Sequence, residues 1–273
     1  MVIIIELLGL LLFSLKGNKE KMYQEFFKKL SLNLYSQILL VLGILVILLF
    51  FFLPKEKRNT PELFLLFLFV TLVFFYENFA LYLLIDKKSN AFFHSLISDT
   101  PFQGWNIWVL NLFNFQLSKL LLLVYLHHLI YSPIKRKIVL GTTYLFALFC
   151  LAVQVLGWYP LYNFQPPIYF FGNSALILGS GLYFIDLITD EKHLEKDLIK
   201  NWNFWIVTLI LFQSALSFLA DLAYGYLVFN DLNLYFFFNY ISMALYLLMF
   251  FTIGLYFIFE VRNAKNKLVR HAA

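Results

Sequence analysis

Residues 107–131, IWVLNLFNFQLSKLLLLVYLHHLIY, form an apolar run long enough to cross a membrane as a helix, since a spanning helix needs about 20 residues. Its first half is unusual because segment 111–119 contains Asn111, Asn114, Gln116, Ser118 and Lys119. Each unpaired polar group in hydrocarbon costs several kcal/mol. Lys119 would lie roughly 18 Å from either end of the helix at 1.5 Å per residue. We therefore expect these side chains to face a helix bundle or a wet cavity and to mark a functional site.

The composition of the whole chain predicts a membrane protein. Of the 273 residues, 62% are hydrophobic and 14% are charged, whereas soluble domains are about half apolar and a quarter charged. The net charge of +5 comes from short basic runs beside apolar segments, where membrane proteins carry them, so it does not suggest nucleic-acid binding. The single cysteine, Cys150, lies in an apolar segment, which excludes a disulfide framework.

Seven apolar segments predict an all-α, polytopic membrane protein with a seven-transmembrane-helix bundle in the lipid bilayer. All seven prolines and all five tryptophans lie between these segments or at their ends, as expected for helix breakers and interfacial aromatic residues. The chain then has a short apolar and amphipathic N-terminal part (1–32), a transmembrane domain (33–260) and a basic cytoplasmic tail (261–273). The predicted spans are 33–53, 62–85, 107–131, 137–157, 168–188, 204–229 and 234–260.

Lysine and arginine in the connections predict the orientation. They cluster around residues 55–58, 135–137, 192–200 and 262–270, all on one side of the predicted bundle. The positive-inside rule places that side in the cytoplasm of an inner membrane, with the C-terminus cytoplasmic and the N-terminus outside. Five lysines in the N-terminal part oppose this orientation, unless residues 2–13 cross the membrane or are absent from the mature chain.

Three ionisable residues, Glu77, Lys119 and Asp221, lie well inside predicted spans. We expect the Lys119 ammonium to lie within salt-bridge reach of Glu77 or Asp221, because a lone charge at the bilayer centre costs at least about 2.5–3.5 kcal/mol. Helical spacing should bring Gln116, and less closely Asn111 and Asn114, near the same face as further acceptors. The group would be a structural ion pair or part of a ligand pocket, and the two interpretations are compatible.

Other features predict local structure. The longest connection, 86–106, should carry a short helix at about 89–98, either as an interfacial connector or as a lid over an outward-facing pocket. Asp186 and Glu260 lie near cytoplasmic span ends, where their side chains should reach the headgroups. Small residues in the fifth span favour close helix packing over a hinge; these are Gly172, Ala175, Gly179 and Gly181.

The sequence lacks the familiar catalytic and cofactor motifs. It has no nucleotide-binding loop, no G-x-S-x-G and no H-E-x-x-H, and the last span lacks the lysine that retinal requires. His127 and His128 are adjacent and so point to different helix faces. We therefore predict no cofactor and no metal, and we favour a protein that is not an enzyme.

The C-terminal third resembles seven-helix membrane modules that are common in Bacteroidetes bacteria, some of which precede a histidine kinase as its sensor. Segment 198–215, LIKNWNFWIVTLILFQSA, carries an N-x-x-FW start in Asn201, Phe204 and Trp205, and the last span carries Asn239. The resemblance implies an integral membrane sensor-like signalling module. Because no coiled-coil linker or kinase H-box follows Glu260, it implies a separate partner such as a histidine kinase.

The alternative is a small membrane transporter or membrane enzyme that uses Glu77, Lys119 and Asp221. Such residues suit proton coupling, but the predicted spans show no inverted repeat and no proline near a span centre. A cavity that reaches these three residues alternately from both sides would indicate a transporter, and a single outward or lateral pocket would indicate a sensor. A dry, fully packed bundle would favour a structural subunit.

Overall fold

The computed structural model describes residues 19–104, 107–189 and 198–272. The prediction for the apolar residues 2–13 lies outside this range. Within it, seven helices are long and apolar enough to cross a membrane, which confirms the all-α, multi-pass, seven-helix bundle. The first to seventh spans are Leu34–Phe51, Pro61–Ile85, Ile107–Leu129, Pro133–Val155, Pro166–Thr189, Trp202–Leu222 and Leu232–Ala272.

Proline and asparagine set where several spans begin. Pro61, Pro133 and Pro166 are each the first residue of a span, where proline's fixed φ suits a helix and its missing N–H is not needed. The side chains of Asn33 and Asn201 cap the first and sixth spans by accepting hydrogen bonds from backbone N–H groups two or three residues on. The fourth span therefore begins four residues earlier than expected, at its proline.

The spans pack as a closed ring in chain order, in which each contacts the next and the seventh contacts the first. The third span also contacts the fifth, and glycines permit this approach. A Cβ at Gly172 would lie 2.6 Å from Cδ of Lys119, and one at Gly179 would lie 3.0 Å from Cδ1 of Leu126. These two glycines serve packing against the third span, whereas a Cβ at Gly181 would meet nothing within 4 Å.

The two ends of the bundle differ in chemistry. We call the end formed by residues 54–60 and 130–137 the basic end, and the end formed by the connections 86–106, 156–165 and 223–231 the loop end. A helix at Lys87–Ile97 lies within the first of these connections, close to the expected short helix. The third span runs from the loop end at Ile107 to the basic end at Leu129.

The sixth and seventh helices depart from the predicted boundaries. The sixth span ends at Leu222, and a separate short helix, Tyr224–Asn230, follows it. Asp221 therefore lies in the last turn of its span rather than well inside it. The seventh helix continues to Ala272, through the segment predicted as a tail. Before the first span, helix Lys19–Ser31 buries Leu30 and exposes Phe27, as an amphipathic surface helix does.

Asp186 is fully buried and does not reach the headgroups as expected. Its carboxylate accepts hydrogen bonds from the backbone N–H groups of Tyr131, at 2.8 Å, and Ser132, at 3.2 Å. It also pairs with the Lys135 ammonium at 3.2 Å. The backbone N–H groups in the turn between the third and fourth spans need acceptors, and the Asp186 carboxylate on the fifth span accepts their hydrogen bonds. This residue therefore fixes the turn at the basic end.

Candidate functional site

The polar segment of the third span is a π-helix. It covers Leu110–Ser118, nine residues, and continues into the α-helix Lys119–Leu129. In a π-helix the backbone hydrogen bonds join residues five apart, and such segments are rare, usually one turn long and often found at functional sites. Side chains five positions apart therefore lie on about the same face, which pairs Asn111 with Gln116 and Asn114 with Lys119. A uniform α-helix, which was expected from the apolar pattern of residues 107–131, would not place these pairs together.

Asn111 and Gln116 hold the connection 156–165 against the third span. The Asn111 amide nitrogen donates hydrogen bonds to the carbonyl oxygens of two residues in that connection, both at 2.6 Å. Its oxygen accepts a hydrogen bond from the Tyr169 hydroxyl. The Gln116 amide donates to Gln165 Oε1 at 3.1 Å. Both side chains are buried and serve the loop end, so they are not the acceptors for Lys119 that helical spacing suggested.

Lys119 faces the bundle interior and is only 7% exposed. Its ammonium donates a hydrogen bond to Oδ1 of Asn173 on the fifth span. The Asn173 amide nitrogen donates in turn to Asp221 Oδ2 at 2.9 Å. The two ion pairs among the described residues involve neither Lys119, Glu77 nor Asp221, so the expected direct salt bridge is wrong. Asn173, which the sequence analysis did not single out, links the two charges because an amide both accepts and donates.

A polar cavity of about 170 Å³ lies beside this linked group. Four residues predicted for the site line it: Asn114, Lys119, Asp221 and Asn239. The remaining lining residues come from the second, third, fifth, sixth and seventh spans; they are Phe69, Phe115, Ser118, Leu122, Leu176, Gln213, Ser217, Ala220, Ser242 and Tyr246. The bundle is thus not fully packed, and four of the six predicted residues converge on this cavity from three spans.

Several polar groups on the cavity wall have no hydrogen-bond partner among the described residues. Buried polar atoms are normally hydrogen-bonded, yet the Ser118 hydroxyl has no partner within hydrogen-bond distance among the described residues, and its polar neighbour is the Tyr246 hydroxyl. The side chains of Asn114 and Asn239 likewise form no hydrogen bond with any described residue. By contrast, Gln213 and Ser217 bond to each other at 3.1 Å. The cavity therefore offers two amides and a hydroxyl to water or a small polar ligand, next to a cation and a carboxylate.

Glu77 does not line the cavity. It is on the second span, and its Oε1 accepts a hydrogen bond from the Tyr35 hydroxyl of the first span at 3.5 Å. It is not among the lining residues. The six predicted residues therefore fall into three places: four at the cavity, Asn111 at the loop connection, and Glu77 between the first two spans.

Apolar packing closes the cavity toward the basic end. Phe69, Leu122 and Leu176 form the cavity wall on that side. Farther toward the basic end, fully buried side chains from four spans fill the bundle; these include Leu66, Leu123, Leu126, Val207 and Ile253. Closely packed apolar side chains leave no room for water. The cavity therefore belongs to the loop-end half of the bundle.

The described residues contain no group of three or more His, Cys, Asp or Glu side chains placed to hold a metal ion. Within the segment that carries the resemblance, Asn201 caps the sixth span, the Trp205 indole donates to the Ile199 carbonyl at 2.9 Å, and Asn239 lines the cavity. The first two contacts stabilise a helix start, and such contacts do not identify a function. No protein family, curated protein or solved structure matches the chain.

Proposed function

We propose that this protein is a sensor-like signalling module of a bacterial inner membrane, with the basic end in the cytoplasm. It binds a ligand in the polar cavity of the outer half and passes the signal to a separate partner such as a histidine kinase. The observation that carries the proposal is a cavity with unpartnered polar groups that is closed toward the basic end. A transporter would also have to open this cavity toward the basic end, through the packed apolar side chains of that half.

The third span is the element through which binding would act. Asn114, Ser118 and Lys119 line the cavity, while the opposite face of the same π-helix holds the loop-end connection through Asn111 and Gln116. A ligand that bonds to the first group changes the forces on a helix that reaches the basic end at Leu129. A ligand shifts a conformational equilibrium only through such differential contacts.

Thiol labelling from each side of the membrane distinguishes the proposed sensor from a transporter. In a Cys150→Ala background, Ser217→Cys places one thiol on the cavity wall, and Leu126→Cys places a matched control in the packed half. A membrane-impermeant maleimide should label Ser217→Cys from the loop-end side, or N-ethylmaleimide alone should label it through the bilayer. Labelling of Ser217→Cys by the impermeant reagent from the basic side would support a transporter instead.

Co-purification tests the signalling half of the proposal. Tagged protein from gently solubilised native membranes should retain a signalling protein, identified by mass spectrometry. Ser118→Leu, which fills part of the cavity, should keep this partner but lose any ligand-induced change in the complex. Recovery of no signalling protein, from preparations whose thermal unfolding shows an intact fold, would contradict the proposal.

A further inference from the structure

A second concavity lies on the lipid-facing side of the bundle, between the fourth and fifth spans. Its volume is about 670 Å³, within the range of about 300–1,000 Å³ that ligand sites occupy. Six of its seven lining residues are apolar: Leu145, Phe149, Pro166, Pro167, Phe170 and Phe171. The seventh is Asp221. We call this concavity the lateral groove.

Asp221 lines both the lateral groove and the polar cavity. One of its oxygens, Oδ2, accepts the hydrogen bond from Asn173, and the described residues give the other oxygen no hydrogen-bond partner. The Lys119 ammonium lies on the far side of Asn173. It acts on the Asp221 carboxylate through space but is not within ion-pair distance of it. A carboxylate that borders hydrocarbon is costly unless it is paired. Asp221 therefore presents an unpartnered oxygen where an apolar surface meets a polar one.

We infer that the lateral groove and Asp221 bind a single-chain alkylamine, with its chain in the groove and its ammonium on the free carboxylate oxygen. A cation complements the carboxylate, and the apolar lining complements an alkyl chain rather than a soluble metabolite. The head of this molecule reaches the polar cavity from the bilayer. The inference rests on the proposed function and names the ligand class for the same site.

Photolabelling of the full-length protein tests this inference. The probe is dodecylamine with a diazirine in its chain, added to purified protein in phosphatidylcholine nanodiscs, and the labelled residues are mapped by mass spectrometry. Dodecanol and dodecanoic acid with the same diazirine serve as head-group controls. The amine should label the groove around Phe149 and Phe170, and Asp221→Asn should reduce this labelling by about tenfold, which corresponds to about 1.4 kcal/mol.

Two variants separate charge from shape. Glu77→Gln removes a different intramembrane carboxylate, which does not line the groove, and should leave labelling unchanged. Leu145→Trp fills the groove from its lipid-exposed side without touching the carboxylate and should abolish labelling. Equal labelling by the amine, alcohol and acid, or amine labelling that survives Asp221→Asn, would overturn the inference and indicate an unselective lipid groove. Competition by phosphatidylethanolamine would overturn it in favour of a membrane phospholipid.

The experiments distinguish a failure of this inference from a failure of the proposed function. Thiol labelling of Ser217→Cys and co-purification of a partner do not depend on any alkylamine. If those succeed while photolabelling is unselective, the cavity remains a ligand site for another molecule. If the cavity proves open to the basic side, the sensor proposal fails even where the amine binds.

Discussion

Replacing Lys119 by methionine should destabilise the protein, and the structure assigns the reason to one linked group. Methionine replaces the four-carbon stem of the lysine, which passes close to Gly172 on the fifth span, so little packing is lost. The variant removes the ammonium that bonds to Asn173, and it leaves the Asp221 carboxylate with only the Asn173 amide. The effect is therefore electrostatic and not a cavity effect.

The expected loss is about 2 kcal/mol. A hydrogen bond to a charged group contributes about 1.5–3 kcal/mol, and breaking a directly paired buried ion pair costs about 3–5 kcal/mol. The lower range applies here because Asn173 stands between the two charges and Asp221 borders a cavity. At about 2–4 °C per kcal/mol for a chain of this size, the unfolding midpoint in detergent should fall by roughly 4–8 °C.

A double-mutant cycle identifies the partner. Lys119→Met combined with Asp221→Asn should recover much of the loss, with a coupling energy of at least about 1 kcal/mol in thermal unfolding. Lys119→Met combined with Glu77→Gln should be additive within about 0.5 kcal/mol, because Glu77 bonds to Tyr35 away from the cavity. The reasoning is refuted if Lys119→Met is as stable as the parent, or if its coupling with Glu77 equals that with Asp221.

Three further predictions test other parts of the bundle. Gly172→Ala should lower the unfolding midpoint because its Cβ would lie 2.6 Å from a lysine side-chain carbon, whereas Gly181→Ala, with nothing within 4 Å, should not; equal midpoints would contradict the packing argument. Asp186→Asn should cost about 2–3 kcal/mol in thermal unfolding, because a buried carboxylate bonded to two backbone N–H groups and a lysine is lost; a variant as stable as the parent would exclude that role. Burial raises the pKa of Asp86, but hydrogen bonds from Ser89, Tyr82 and two backbone N–H groups outweigh burial and leave the pKa below its usual value. The stabilising contribution of the Asp86 carboxylate is thus complete above the unfolded pKa of about 3.9 and is lost as the pH falls through the lower folded pKa. The difference in unfolding midpoint between the parent and Asp86→Asn should therefore shrink on acidification. A difference that stays constant would contradict this role.

The number and order of the spans could be predicted from the sequence because length and composition alone determine them. A run of about twenty apolar residues between prolines has one stable structure in a bilayer, a membrane-spanning helix. Span ends were less certain, since an apolar run does not reveal where a helix stops. The run from Phe204 to Phe229 predicts one helix, but the structure ends the sixth span at Leu222 and starts a short helix at Tyr224. Gly225 was the available signal for a break nearby.

The candidate site could be predicted in part. Polar residues inside apolar runs identified Asn114, Lys119, Asp221 and Asn239, which line one cavity. The bonds between them could not be predicted, because partner choice depends on helix rotation that an almost uniformly apolar sequence does not specify. Asn173 had a usable signal, since it is an amide on the small-residue face of the fifth span, where a polar side chain needs a partner.

The π-helix gives the third span a way to change its twist. A π-turn contains more residues than an α-turn, so each residue between Leu110 and Ser118 turns the chain through a smaller angle than the 100° of an α-helix. Conversion of this segment to an α-helix would therefore rotate its loop end about the helix axis relative to Lys119 and the packed half below it. Asn111, which is hydrogen-bonded to the 156–165 connection, would move with that rotation. Conversion of this segment would therefore twist the third span about its own axis.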